Sequence, residues 1–466
     1  MERMNRPDPP STAYLDHLVA ETAGRRAALA PSDAIGADGG TARGTADGGA
    51  PAELVAAVGR AADRLEPDLA EIVRRLHEHP EPAFEEHRSA ATLVEVLSRH
   101  GVEAELGAHG VPTAFRAAIG RRTADGTTAD GDAGPTIAIC AEYDALPGIG
   151  HACGHNVIAA AGVGAFLALR DVMTSDDAPA GRVVLLGTPA EEGHSGKEVL
   201  ARNGALERID AAIMVHPYGL DVAEQVWLGR RLLTWTFTGR PAHASAQPYM
   251  GRNALDAANL AYQGIGLLRQ QMPPVDRVHA TIAEGGTRPS IITERAVMHL
   301  YARSRYADTL RDLSRRLDDI AHGAARMTGT DVEIRWDDGA HPSLPVRTNR
   351  TLTDRWVAAQ RRRGRDPLPA GVLSETLAAS TDFGNFSFRI PGIHPLVQVS
   401  DPGIALHTAE FAEAAASPAA VSAAVDSAAG LAATALDYLY DAGLRETVHA
   451  EFAEEGGAVD VPAYFE

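Results

Sequence analysis

The chain has 466 residues, 45% of them apolar, which is enough for two packed domains rather than one. Its formal charge of −19 counts against nucleic-acid binding through a basic surface and against attraction to an anionic membrane. Two cysteines cannot build a disulfide framework, no apolar run reaches the roughly 18 residues of a membrane span, and MERMNRPDPPSTAYLDHLVA lacks the apolar region of a secretory signal, so a reducing, cytoplasmic setting is expected.

Residues 1–51 are expected to form a disordered leader. Within them PSDAIGADGGTARGTADGGAP (31–51) is small, polar and glycine-rich, and cannot bury enough apolar surface to offset the entropy of ordering. Helical spacing begins near residue 52 and runs through AELVAAVGRAADRLEPDLAEIVRRLHEHPE to a proline. The short apolar segment TAFRAAI and the strand TIAICAEY flank RRTADGTTADGDAG (121–134), which reads as a surface loop between two strands. A helix is expected over NVIAAAGVGAFLALRDVM, a buried strand over 182–188 in GRVVLLGTPAEEG, a helix in SGKEVLARNGALE, and a strand around Ala211–Val215. Strand, polar loop and helix in repetition is the α/β pattern, and in such sheets chemistry collects at the carboxyl ends of strands.

From residue 229 the pattern changes. RRLLTWTFTG reads as a strand, GRNALDAANLAYQGIGLLRQQM as an amphipathic helix, RVHATIAEG and RAVMHLYARSR as two strands, LRDLSRRLDDIAHGAARMTG as a helix and DVEIRWDD as a strand. The order β-α-β-β-α-β is that of a ferredoxin-like unit. Residues 229–339 are therefore expected to be a domain inserted into an α/β domain made of 52–228 and 340–445. In that second half TLTDRWVAAQRRRG reads as helix, HPLVQVS as strand and SPAAVSAAVDSAAGLAATALDYLYDAG as a long helix, with 446–466 left as a tail.

The candidate functional residues follow strands. Asp144, Cys153 and His155 crowd into AEYDALPGIGHACGHN (141–156), Glu191 and Glu192 follow the strand VVLLG, His216 ends a third strand, and His407 lies after HPLVQVS. Thiolate, imidazole and carboxylate are donors that hold zinc or a similar divalent ion. Two adjacent carboxylates repel each other unless a cation lies between them or one is protonated. With a metal nearby, one can bind it and the other can take a proton from an activated water, as hydrolysis requires. The alternatives from the residues alone are a solvated acidic loop, satisfied histidines, a nucleophilic Cys153, or a redox pair with Cys140. Cys140 itself sits inside TIAIC and reads as a buried strand residue.

AEYDALPGIGHACGHN, GTPAEEGHSGK, MVHP, GRPAHAS and STDFGNFS…LHTAEF together resemble one family in order and spacing: the dinuclear metallopeptidases and amidohydrolases (peptidase family M20) that include aminoacylases and glutamate carboxypeptidases. Within it they look most like the branch of p-aminobenzoyl-glutamate hydrolase and β-alanyl-lysine dipeptidase. The resemblance implies two divalent ions (zinc, manganese or cobalt) on Cys153, His155, Glu192, His216 and His407, with Cys153 bridging. It implies Glu191 as general base and then acid, and Asp144 as the residue that orients a ligand. His243, in PAHAS on the inserted domain, would reach the active site of a second copy of the chain and hold the oxyanion, which implies a homodimer through the inserted dimerisation/lid domain. The implied reaction is hydrolysis of a dipeptide or an N-acyl or N-aryl amino acid, with closure between the domains assembling the site.

The sequence departs from the branch at Ser290, where Asn is usual, and at Thr293, where Pro is usual, which leaves substrate specificity open. Arg303 could meet a substrate carboxylate through its planar fork, or be a salt-bridged strand residue. Asn253 could contact substrate or cap a helix. A non-catalytic sensor of peptides or amino acids, and an amidohydrolase acting on a non-peptide amide, are the alternative functions.

Overall fold

The structure, a computed structural model, describes residues 11–29, 48–120, 134–175, 178–376 and 378–465. In chain order the first domain contributes strands β1 Ala104–Leu106, β2 Phe115–Gly120, β3 Thr136–Ala141, β4 Arg182–Gly187, β5 Ala211–Ile213 and β6 His216–Tyr218. The inserted segment contributes β7 Trp227–Thr238, β8 Arg277–Glu284, β9 Arg295–Ser304 and β10 Asp331–Trp336. The chain then adds β11 Ala379–Ser380, β12 Gly392–Ile393 and β13 Leu396–Gln398.

The main sheet has the order β1-β2-β4-β3-β5-β12. Its β4, β3, β5 and β12 run parallel, while β1 and β2 form an antiparallel edge. Successive strand side chains point to opposite faces. Ile137, Ile139, Val183 and Leu185 enter one core, and Ala138, Cys140, Val184 and Leu186 enter another on the other face. The sheet is thus covered on both sides, which explains why its parallel strands are continuous apolar runs. Cys140 is buried in β3, as its place in the sequence suggests.

The larger core is built around the helices His155–Met173 and Pro418–Tyr440, which pack on each other and on Ala52–Arg64 and Glu66–Glu78. Both central helices are long and apolar enough to cross a membrane, and both are mostly buried inside this core. Small residues let them approach closely: a Cβ on Gly164 would lie 2.9 Å from that of Ala428. Ser417 caps the second helix through Ala420 N, with Pro418 at its first turn, where a missing N–H costs nothing. The helical run from residue 52 is broken at Leu65, because Pro67 cannot donate to the preceding turn and its ring crowds that turn's carbonyls.

The inserted segment has the expected β-α-β-β-α-β order, with helices Ala254–Leu268 and Ala307–Thr328. Its antiparallel sheet runs β10-β7-β9-β8. Leu233, Trp235, Phe237, Met298 and Leu300 pack under the two helices. The opposite face carries the intervening residues. The short parallel β11 joins β7 at Trp227 and Leu228 and ties the insert to the first domain.

Two expectations at the chain ends are corrected. The leader contains a helix, Ala13–Ala27, whose Leu18 is buried and whose Arg25 donates to the Gly371 carbonyl at 3.2 Å. Residues 30–47, most of the glycine-rich stretch, lie outside the described residues, as do 121–133 of the second low-complexity piece. The expected tail is also structured. Helix Ala442–Glu454 buries Val448, and its Glu451 accepts from the N–H groups of Arg350 and Thr351, which start another helix. Further on, Val461 is buried and Phe465 stacks on Arg231 of the insert.

Candidate metal centre

Five elements converge at the carboxyl end of the main sheet. Asp144 follows β3, and Cys153 lies in the turn before the helix whose first residue is His155. Gly154 caps that helix with φ +81°, and a Cβ there would lie 2.5 Å from Pro217, so only glycine lets the His155 turn meet the His216 strand. Glu191 and Glu192 follow β4, and His216 begins β6. His407, at φ +63°, is fixed by its N–H to the Ala152 carbonyl at 2.9 Å, directly beside Cys153.

The donor atoms fall into overlapping groups, within each of which they lie no more than 4.8 Å apart. Cys153, His155 and His216 form one, Cys153, Glu192 and His407 a second, and His155, Glu191 and Glu192 a third. Cys153 is the member common to the first two. Its Sγ lies 3.5 Å from His216 Nε2, and His407 Nε2 lies 3.5 Å from Glu192 Oε1.

Hydrogen bonds fix which nitrogen each ring offers. His155 Nδ1 lies 3.0 Å from both the backbone carbonyl and Oδ1 of Asp144. His216 Nδ1 lies 2.8 Å from the Pro217 carbonyl. A carbonyl only accepts, so Nδ1 of each ring carries a hydrogen and Nε2 is the atom left to bind a metal, the usual arrangement of a metal-ligating histidine. Burial pushes the pKa of His216 down to about 3, which keeps its Nε2 lone pair free. Asp144 also anchors the neighbouring loop, where its Oδ2 accepts from Glu192 N at 2.8 Å.

The charge balance points the same way. Glu142, Asp144, Glu191, Glu192 and Asp382 gather around His155 and the one lysine, Lys197. Burial, then Glu192, Glu142 and Asp382, push the Glu191 carboxyl well above its ordinary value. Buried like charge of this density is stable only if cations neutralise it or some of the carboxyls hold a proton. Among the described residues, His155 Nε2 and Glu192 Oε1 are buried with no hydrogen-bond partner. Donor atoms on thiol, imidazole and carboxylate, in two groups with a common sulfur, fit a pair of divalent ions.

The remaining candidates lie on the insert. His243 is exposed, and its Nδ1 accepts from Ala246 N at 3.2 Å and Ser245 N at 3.3 Å, which leaves Nε2–H as an outward donor. The divergent Ser290 is its neighbour: Ala244 N donates to the Ser290 carbonyl and Ile292 N to Ala242. Arg303 pairs across β7 with Arg230 and across β8 with Arg277, so three arginines form one row on the helix-free face. Arg303 stacks on Tyr301 at 4.8 Å, and Arg230 Nη2 reaches Ser195 Oγ at 3.3 Å, in the loop that carries Glu191. Among the described residues neither Arg230 nor Arg303 has a carboxylate partner, and Arg230 Nε is buried and unpaired, so the salt-bridged alternative for Arg303 is not what is observed. Asn253 takes the helix-cap reading: its Oδ1 accepts from Leu255 N at 3.0 Å at the N-cap.

Sequence reasoning missed the buried cluster of Glu142, Lys197 and Asp382. Lys197 Nζ bonds Asp382 Oδ1 at 2.7 Å and also Glu142, whose Oε2 stands 3.7 Å from His155 Nε2. A signal was available, because Lys197 is the only lysine in the chain. Where every other strong cation is arginine, a lone lysine marks a place that takes a compact ammonium and no planar guanidinium.

A shared thiol between two donor groups, with a carboxylate beside them at the strand ends of an α/β domain, defines a metal-dependent hydrolase. The chain belongs to peptidase family M20/M25/M40, whose model matches residues 129–432. The Xaa-Arg dipeptidase of Mus musculus is 38% identical over 408 residues, 86% of this chain and 93% of that protein. One component of the p-aminobenzoyl-glutamate hydrolase of Escherichia coli K12 is 28% identical over 460 residues, 84% of this chain and 93% of that protein. Among solved structures, the YXEP protein of Bacillus subtilis, described as a dinuclear metal binding peptidase, has the same fold, with a TM-score of 0.61 at 22% identity over 80% of this chain and 99% of that one. The resemblance drawn from the five sequence motifs therefore holds at the level of the family.

Proposed function

We propose that the protein hydrolyses the amide bond of a dipeptide or an N-acyl or N-aryl amino acid, with Glu191 as the proton carrier. The observation that carries this reading is the placement of Glu191 in one donor group with His155 and Glu192, while the two groups built on Cys153 are complete without it. Cys153, His155 and His216 would hold one ion, and Cys153, Glu192 and His407 the other; zinc, manganese or cobalt suits these donors. When bound, the ions supply Lewis-acid activation of the scissile carbonyl and of the attacking water. Glu191 takes the water's proton and delivers it to the leaving amine nitrogen, and Asp144 holds His155 and the Glu192 backbone in register.

Arg303 and Arg230 take the substrate carboxylate. Their row is cationic, unpaired by carboxylates among the described residues and joined to the Glu191 loop through Ser195. The relatives' names support this, since a dipeptide ending in arginine and p-aminobenzoyl-glutamate are both amides of a free amino acid. His243 acts across a homodimer: its exposed Nε2–H stabilises the oxyanion in a second copy. Exposed Tyr262, Leu267 and Ile282, on the helix and edge strand of the insert, supply an apolar surface for that pairing. Both cysteines are free and buried, in keeping with a reducing cytoplasm.

The test is a substrate panel on chelator-treated protein reloaded with zinc, manganese or cobalt. It contains dipeptides including those ending in arginine, N-acetyl amino acids, p-aminobenzoyl-glutamate, and the carboxamide of each. Turnover should vanish with chelator and return with metal, and blocking the carboxylate should lower kcat/KM by about tenfold or more, as for loss of a hydrogen bond to a charged group. Equal turnover of free acids and carboxamides would remove the arginine row from the site, and failure of the metal-loaded protein to cut any amide would favour a sensor.

A further inference from the structure

Glu86 is fully buried, and its side chain leaves its own helix unserved. It occupies the N-cap of helix His87–Arg99 yet makes no cap bond there; Glu81 does so instead, accepting from Arg88 N at 3.0 Å and Ser89 N at 2.7 Å. Glu86 Oε1 accepts from Phe84 N at 3.0 Å and, across 104 residues of sequence, from Ala190 N at 2.9 Å.

Ala190 immediately precedes Glu191 and has φ +61°, a left-handed conformation that is strained for a non-glycine residue. Such a conformation persists only where the surroundings enforce it. Both backbone groups of Ala190 are engaged, since its carbonyl accepts from Gly196 N at 2.9 Å. On the other side of Glu191, Glu192 N is held by Asp144 Oδ2. Glu191 therefore stands between two backbone clamps, each a buried carboxylate from another element. Phe84, itself at φ +63°, adds its ring against His194 at 5.6 Å, in the same loop.

We propose that Glu86 is a positioning residue for the reaction: by clamping Ala190 N–H it sets the place of the Glu191 carboxylate without touching substrate or metal. The inference rests on Glu191 being the general base. The requirement is an acceptor oxygen at the Oε1 position, so glutamine should serve and alanine should not.

The experiment compares Glu86→Ala and Glu86→Gln with wild type for kcat, KM and bound metal, with Glu191→Gln as control. Glu86→Ala should lower kcat by about 10- to 100-fold, the scale of a displaced catalytic group, with KM and metal content within about twofold of wild type. Glu86→Gln should return kcat to within about threefold, because its amide oxygen accepts the same bond. If the alanine variant does not fold, Glu86→Asp, one methylene too short to reach Ala190 N, should lower kcat about tenfold at unchanged KM. Wild-type kcat in Glu86→Ala or Glu86→Asp, or equal losses in the glutamine and alanine variants, would overturn the inference. A metal-loaded Glu191→Gln that still turns over would instead remove the base on which it rests.

Discussion

Glu191→Gln should lower kcat by about 10²- to 10⁴-fold while the protein keeps both metal ions, the range expected for loss of a general acid–base group. Glutamine preserves the shape of the side chain and, through its amide oxygen, its ability to accept a hydrogen bond, but it cannot take up and return a proton. The metal set survives because Cys153, His155 and His216, and Cys153, Glu192 and His407, are complete groups without Glu191. The loop also survives, because its anchors are the N–H groups of Ala190 and Glu192, not the Glu191 side chain. Steady-state kinetics and metal analysis on one preparation check both halves. A variant that loses its metal would place Glu191 among the ligands. One that keeps its metal and most of its kcat would show that the proton is carried elsewhere.

The second large effect is on stability. Lys197→Met should destabilise the fold by about 3–5 kcal/mol, the cost of leaving a buried charge without its partner. Lys197 is fully buried between Glu142 and Asp382, which are buried themselves, and its backbone N–H also donates to Asp382 Oδ2 at 2.8 Å. Methionine fills the volume but leaves two carboxylates uncompensated. Burial already raises the Glu142 carboxyl, with Lys197 opposing that rise, so removing the lysine raises it further. A carboxyl whose folded pKa lies above its unfolded pKa favours the fold below the unfolded value and loses that contribution as pH rises through the folded value. The deficit of the variant should therefore be larger at pH 8 than at pH 5. Urea unfolding of metal-depleted wild type and variant at both pH values measures it, and equal midpoints would show that the lysine is not what holds these carboxylates.

Much of the fold was legible because its signals are local. The inserted domain announces itself through alternating strands such as RRLLTWTFTG and amphipathic helices, and β7 to β10 appear in the expected order. The grouping of candidate metal ligands was legible for a related reason. Asp144, Cys153, His155, Glu191, Glu192 and His216 follow strands or begin helices in the α/β domain, where a parallel sheet brings distant segments to one edge. What escaped is decided by tertiary structure. Nothing local in GHSGKEV tells that Lys197 turns inward to meet Glu142 and Asp382, and nothing in EPAFEEH tells that Glu86 reaches Ala190 rather than capping its own helix. Asn253 was ambiguous because an N-cap and a substrate contact present the same residue type, and the cap shows itself only in the bond from Leu255 N. The helix Ala13–Ala27 was overlooked beside its glycine-rich continuation, although Leu15, Leu18 and Val19 carry an apolar stripe.

The central claim is that Cys153 is the thiolate common to two metal sites. Anomalous diffraction from crystals of zinc-loaded protein, collected at the zinc edge, tests it most directly. Two peaks should flank Cys153 Sγ, one among Cys153, His155 and His216 and the other among Cys153, Glu192 and His407. A single peak, or two peaks of which neither touches Cys153, would contradict it.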